Sequence, residues 1–173
     1  MGKRSSFARI DRDLYPTPLR AVEPLVPHLR ADKIKTFVEP CAGNLDLIHH
    51  LESFGFHCVD YGDIATGEDA RKLKPVKADA IITNPPHLRP LMHEMIKHFI
   101  SLGLPTWLLI DLDWVANLQA TAFLPWCSDV VVIGRVKWFA NSEHSSKENF
   151  AWYRFDVART GPTAIHNHRG LTQ

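Results

Sequence analysis

No two of the three cysteines, Cys41, Cys58 and Cys127, stand in a C-x-x-C spacing, and their number is odd. That argues against a disulfide framework and against a cysteine-based zinc site, and it fits a reducing, cytoplasmic setting. There is no apolar run of about 18 residues, so no membrane-crossing helix is expected. The opening stretch MGKRSSFARIDRD lacks the apolar segment of a secretion signal. Charge of one sign is also missing: the net value is +1, so global charge does not announce a nucleic-acid binder. A local bias exists all the same, because Lys3, Arg4, Arg9 and Arg12 fall within the first twelve residues. Neither G-x-G-x-x-G nor a Gly-Lys-Ser/Thr phosphate loop occurs, and there is no internal repeat or low-complexity tract.

What is there suits one domain. A chain of 173 residues is long enough to bury a core. Val22, Leu25, Val26 and Leu29 fall at helical spacing in 21–30, where Pro24 and Pro27 bend or limit the helix. KTFVEPCAG (35–43) reads as a first strand ending in a turn at Gly43. A helix follows over 44–55, with Asn44 as its cap and Gly55 as its stop. HCVDYGDI (57–64) and ADAIITNPP (78–86) read as strands, and LRPLMHEMIKHFISLG (88–103) as a helix. TWLLIDLDW (106–114) is apolar enough to be buried on both faces, and 115–124 is expected to be helical. DVVVIG (129–134) and NFAWYRFDV (149–157) are β-rich, flank a polar loop, and are expected to pair antiparallel at the end of the sheet. The alternation predicts an α/β fold with a mainly parallel central sheet. Residues 1–20 are expected to form a basic arm ending in the turn DLYPTP, 21–158 the domain, and 159–173 a weakly ordered tail.

In open parallel sheets ligands gather beyond the carboxyl ends of the strands. Three stretches fall there: EPCAGN (39–44), DYGDI (60–64) and TNPPH (83–87). The first is a strand, a glycine turn and a helix start, the general form of a nucleotide-cofactor site. Glu39 would repel a phosphate and suits a cofactor bearing positive charge, such as a sulfonium with an amino group. An acid roughly 20 positions on is the usual partner of ribose hydroxyls in such folds, and Asp60 and Asp63 both qualify. TNPPH ends a strand with two residues that cannot continue a ladder, which leaves the Asn84 amide at the strand end.

Together these residues resemble the class I S-adenosylmethionine-dependent methyltransferases that carry an Asn-Pro-Pro motif. The chain looks most like the small phage and bacterial DNA N6-adenine methyltransferases. TNPPH is similar to their catalytic motif, FVEPCAGN to their cofactor motif, and DLYPTP to an upstream Tyr-x-Thr-Pro element. GRVKWF (134–139) falls in the expected order, and the likeness covers about residues 11–157.

The resemblance implies a Rossmann-like domain that transfers a methyl group from S-adenosyl-L-methionine to the exocyclic amine of adenine in DNA. It implies that Tyr15 and Thr17 flank the methionyl carboxylate and that Glu39, Cys41 and Gly43 line the cofactor. Asp63 takes the ribose, with Asp60 as rival, and Asp69 faces the cofactor's adenine. Asn84 and the Pro85 carbonyl accept the two N–H bonds of the target amine, Pro86 stiffens the loop, and His87 stacks on the base where most relatives have Tyr, Phe or Trp.

Leu45 stands where relatives commonly have a second glycine, and its side chain is expected to narrow the cofactor cleft. No separate target-recognition domain is evident, so loops, a partner chain or a homodimer would supply recognition. The implied setting is the cytoplasm of a bacterium or of a phage-infected host, with no membrane. Three alternatives stand beside this reading. They are a catalytically weak cofactor- or nucleic-acid-binding subunit, an RNA methyltransferase, and a protein-glutamine methyltransferase.

The remaining candidates read more plainly. His49 and His50 are adjacent and diverge on a helix, and His93 and His98 share no face well, so no metal site is expected. HNH at 166–168 is a string without the surrounding nuclease motif. Trp138, Phe139 and Trp152 read individually as core, with stacking on bases as the other reading. Arg135 and Lys137 alternate with Val136 and Trp138, which puts two cations on one face, toward solvent or toward phosphates.

Overall fold

The computed structural model describes residues 15–143 and 145–167. The basic stretch Lys3–Arg12 and the last residues of the tail, including His168, lie outside the described residues. The elements are α1 (Leu19–Val22), α2 (Val26–Ala31), β1 (Thr36–Glu39), α3 (Asp46–Ser53), β2 (His57–Tyr61), β3 (Ala80–Thr83), α4 (Arg89–Ser101), β4 (Thr106–Asp111), β5 (Cys127–Arg135), β6 (Asn149–Phe155) and β7 (Ala164–Asn167). They build one seven-stranded sheet in the order β2-β1-β3-β4-β6-β5-β7. Within it β6 runs antiparallel to its neighbours: β1/β2, β1/β3, β3/β4 and β5/β7 pair parallel, whereas β4/β6 and β5/β6 pair antiparallel. This is the expected α/β architecture, a mainly parallel sheet closed by an antiparallel pair.

The central strands read as unbroken apolar runs because both their faces are covered. Successive residues point to opposite faces of a strand. Phe37, Ile82, Trp107, Leu109 and Trp152 therefore join the layer of α1, α2 and α3, where Val22, Leu25, Leu29, Ile48 and Leu51 are buried. Val38, Ile81, Leu108, Ile110 and Tyr153 join the layer of α4, which contributes Met92, Met95, Ile96 and Phe99. Truncating one such fully buried aromatic to alanine typically costs about 3–5 kcal/mol.

Four local outcomes differ from the sequence reading or sharpen it. The 21–30 segment is two short helices, because Pro24 falls in a 3-10 turn over Glu23–Leu25 and α2 restarts with Pro27 in its first turn. The cap of α3 is Leu45 rather than Asn44, with a left-handed φ of 70°. The expected helix over 115–124 is instead three 3-10 turns, Leu112–Ala116, Leu118–Ala122 and Leu124–Trp126. There Asn117 is extended, and its Nδ2 donates to the carbonyl of Asp113 at 2.9 Å, a group a continuing helix would need for itself. Lastly, the stretch after Arg159, expected to be weakly ordered, contains β7 against β5. The hydroxyl of Thr163 donates to the carbonyl of Cys127 at 2.7 Å, and His166 meets Asp129 at 2.9 Å. β7 is held by backbone and polar contacts, so no apolar pattern marks it.

Candidate functional site

From β1 the chain turns outward to β2 on one side and to β3 on the other. A crevice opens at such a reversal of strand order, beyond the strands' carboxyl ends. Here it is a cavity of about 490 Å³. Of the residues named from the sequence, Tyr15, Thr17, Glu39, Cys41, Gly43, Asp63, Asp69, Asn84 and Pro86 line it. Asp60, Pro85 and His87 do not. Asp60 spends Oδ1 on the amide of Tyr61 at 2.9 Å.

The loop after β1 is tied to the loop after β2 by backbone bonds. The amide of Gly62 donates to the carbonyl of Glu39 at 3.0 Å, and that of Ala42 to the carbonyl of Gly62 at 2.9 Å. Asp63 braces both loops: its carboxylate accepts from the Gly43 amide at 2.9 Å and the Ala65 amide at 2.8 Å. A Cβ at Gly62 would lie 3.0 Å from both Cβ and Oε2 of Glu68, so a side chain there would make Glu68 give way. Leu45 does not line the cavity. Its side chain packs against the core layer of α3, so it does not narrow the cleft as expected from the sequence.

Glu39 is completely buried at the floor. Its Oε1 accepts from the Cys41 amide at 3.0 Å, and its Oε2 has no partner among the described residues. Burial pushes the carboxyl up to about 8, against the opposing pull of the Thr83 hydroxyl and the Cys41 amide. Burial likewise raises the Cys41 thiol, followed by the nearby Glu39 charge, which disfavours the thiolate. Asp69 enters the cavity with both oxygens on Arg71, at 2.9 and 2.8 Å, and Arg71 reaches on to Glu94 of α4 at 2.9 Å. These bonds hold the Asp69 carboxyl below the usual range. Four carboxyl groups, Glu39, Asp63, Glu68 and Asp69, thus face a single cation, Arg71, among the lining residues. The cavity suits a cationic ligand and disfavours a phosphate.

Asn84 follows the last residue of β3. Its Nδ2 donates to the carbonyl of Tyr15 at 3.3 Å and to Oγ1 of Thr17 at 3.1 Å. A carbonyl only accepts, so the group facing it is the amide nitrogen, and the oxygen points the other way. That oxygen, Oδ1, is buried and has no partner among the described residues. An aromatic chain closes the same side: Trp138 lies 5.5 Å from Tyr15 and 5.0 Å from Phe150 between ring centres, and Tyr15 lies 6.1 Å from Phe139. Phe139 lines the cavity while remaining 39% exposed.

Sequence reasoning passed over Glu68, Arg71, Leu91, Met95 and Phe139 as lining residues. Leu91 and Met95 carried the helical spacing of a core face, and Phe139 read as core before it read as a surface for a base. Only Glu68 and Arg71 left a signal, as charges flanking Asp69. Among the described residues no cluster of His, Cys, Asp or Glu is arranged to hold a metal ion, and no helix is long and apolar enough to cross a membrane.

No protein-family model matches the chain, and no curated protein does. Solved structures do. The methyltransferase subunit of a type I restriction-modification system from Streptococcus thermophilus superposes with a TM-score of 0.57 at 11% identity, over 88% of this chain and 47% of that one. This chain therefore spans about half the length of the streptococcal subunit. A Pyrococcus horikoshii protein, provisionally described as an RNA methyltransferase, superposes with a TM-score of 0.52 at 14% identity, over 84% and 87% of the two chains. At these identities the likeness is one of fold: the chain has an α/β Rossmann-like fold shared with methyltransferases.

Proposed function

We propose that this chain is an S-adenosylmethionine-dependent methyltransferase acting on the exocyclic amine of adenine in DNA. One observation carries the reading: Asn84 offers a buried amide oxygen, unpartnered among the described residues, while its nitrogen is tied back to Tyr15 and Thr17. A buried acceptor of that kind costs about 1–3 kcal/mol unless a donor arrives. The amine of adenine brings two N–H bonds.

The residues fit the cofactor. Glu39 presents a buried, half-partnered carboxyl, and the excess of acids over cations favours a sulfonium with an ammonium group. Tyr15 and Thr17 border the methionyl end, Glu39, Cys41 and Gly43 the middle, Asp63 the ribose, and Asp69 with Arg71 the adenine. S-adenosylmethionine supplies an activated methyl group.

The chain's own part is positioning and electrostatics. An aromatic amine is a poor nucleophile because its lone pair is delocalised into the ring. Asn84 Oδ1 and the Pro85 carbonyl accept its two N–H bonds and turn the lone pair out of the ring plane. Pro85 and Pro86 stiffen the loop that carries both acceptors. Phe139, exposed at the cavity wall, supplies a face on which the base stacks, worth about 1–3 kcal/mol. Arg135 and Lys137 are both exposed, beside Trp138 and Phe139, and supply charge for the backbone phosphates.

Residues 21–158 form the catalytic unit in this reading, preceded by a basic arm. A partner chain or a second copy supplies sequence recognition; the streptococcal protein similar in fold is itself a subunit of a restriction-modification system.

The test is calorimetric titration with S-adenosylmethionine, followed by methyl transfer to adenine-containing single- and double-stranded DNA and to RNA, with Asn84→Ala alongside. Micromolar cofactor binding that survives Asn84→Ala, with N6-methyladenine formed only by the native chain, is the expected result. Transfer to RNA and not DNA would move the substrate. No cofactor binding would end the reading.

A further inference from the structure

We propose that Thr17 is a positioning residue whose hydroxyl, with the Tyr15 carbonyl, fixes the plane of the Asn84 carboxamide so that Oδ1, and not the NH₂ group, is the atom left for an incoming donor. The inference rests on the function proposed above and extends it to a residue that the resemblance assigns only to the cofactor.

A carboxamide is nearly symmetric in shape, and its terminal torsion is soft. Turned over, Asn84 would present an NH₂ group to an incoming amine, donor against donor. The protein has to choose one orientation and hold it. The Tyr15 carbonyl makes the choice, because in the turned state two acceptors would face each other at its 3.3 Å separation from Asn84. One hydrogen bond leaves the plane free to swivel. The second, from the other Nδ2 proton to Thr17 Oγ1 at 3.1 Å, fixes it.

The sequence explains why both acceptors stand in place. Tyr15 precedes Pro16 and Thr17 precedes Pro18, and a residue before proline is driven to extended backbone. Pro18 is itself extended, at φ −75° and ψ 151°. Tyr-Pro-Thr-Pro is thus a stiff two-pronged acceptor. It is brought to Asn84 across 67 positions of sequence, and Thr17 is only 5% exposed there. Valine has the shape of threonine and no acceptor, so it would leave one Nδ2 proton of Asn84 buried and unpaired.

The experiment compares Thr17→Val and Thr17→Ser with the native chain by three readouts. These are calorimetric binding of S-adenosylmethionine, turnover on adenine-containing DNA, and hydrogen exchange of the Asn84 side-chain NH₂ by ¹⁵N nuclear magnetic resonance, its signal assigned by loss in Asn84→Ala. The expected result for Thr17→Val is kcat reduced about tenfold or more, as one orienting hydrogen bond predicts. Its cofactor Kd rises by a smaller factor than kcat falls, and one of the two Asn84 NH₂ protons exchanges at least about tenfold faster. Thr17→Ser restores all three.

Unchanged exchange and kcat in Thr17→Val would overturn the proposal. So would a lost cofactor affinity at native kcat, which would make Thr17 a cofactor contact. Should the valine variant not fold, the native chain still decides: both Asn84 NH₂ protons must be protected, and free exchange of either refutes the inference. Protected protons that respond to Thr17→Val, in a chain that methylates no adenine, would uphold the positioning and sink the proposed function instead.

Discussion

The imidazole Nε2 of His87 lies 3.2 Å from the carbonyl oxygen of Leu109, on β4, rather than along the cavity. A carbonyl only accepts, so Nε2 carries the proton. The ring packs 5.4 Å from Phe150 and 6.4 Å from Trp138. Two residues on, Arg89 grips the Asp111 carboxylate at 2.9 Å. Pro85 and Pro86 have no N–H to offer, and side chains anchor the loop in their stead, to alternate residues of β4. The resemblance assigns the ring at 87 to base stacking, whereas the geometry makes it a tie.

His87→Phe keeps the ring packing and loses the bond to Leu109. We expect about 1 kcal/mol lower stability, a fall of about 2–4 °C in Tm, and no gain in affinity for adenine-containing DNA. A tenfold lower KM for DNA in this variant would return position 87 to the stacking role.

Leu45 holds a left-handed backbone that costs a branched residue about 1–2 kcal/mol, and its half-buried side chain recovers a similar amount against the core. Leu45→Gly trades one for the other. Stability should change by no more than about 1 kcal/mol, and the Kd for S-adenosylmethionine should stay within about threefold, because residue 45 does not line the cavity. A tenfold gain in cofactor affinity would show that the leucine reaches into the cleft after all.

How far the sequence could be read depended on what each residue was paired with. The run 106–111 was legible because burial on both faces needs only apolar side chains. The end of β3 at TNPP was legible because two prolines cannot continue a ladder. The broken helix at 112–126 was not, since it turns on the amide of Asn117 capturing one carbonyl. β7 was not, because its contacts are a threonine hydroxyl and a His–Asp pair. At the site, that Asp63 and not Asp60 lines the cavity hung on which loop each carboxylate braces, and the inward turn of His87 on an acceptor 22 residues away. Local spacing carries none of these.

Arg154, on β6 at the end of the sheet away from the cavity, draws three carboxylates together. It meets Asp32 at 2.9 Å, Asp156 at 2.8 Å and Asp129 at 3.8 Å, and is 17% exposed. Burial, partly offset by Arg154, raises the Asp32 carboxyl. Arg154→Met would leave Asp32 and Asp156 without their cation and Asp129 with His166 alone, and removing one partner of a buried pair typically costs about 3–5 kcal/mol. We expect Tm to fall by about 6 °C or more, with cofactor affinity unchanged at temperatures where the variant is folded. A melt within about 2 °C of native would mean that solvent already screens the cluster.

Glu39 gives the site a pH dependence whose sign can be worked out. Its carboxyl titrates at about 8 when folded and near 4.5 when not. The folded chain therefore holds a proton that the unfolded chain has released. Its contribution to stability is full below about pH 4.5 and gone above about 8. Between those values it declines by about 1.4 kcal/mol for each pH unit. A cationic ligand reverses the preference, because it favours the carboxylate. Binding S-adenosylmethionine should then release a proton below pH 8. Its Kd should fall as pH rises from about 6 to 8, by at most tenfold per unit, and the measured enthalpy should depend on the buffer's ionisation. Glu39→Gln, which keeps the acceptor to Cys41, should bind the cofactor more weakly and show only the titration of the cofactor's own amine. The same pH profile in the native chain and in the Glu39→Gln variant would mean that the Glu39 carboxyl does not meet the ligand's charge.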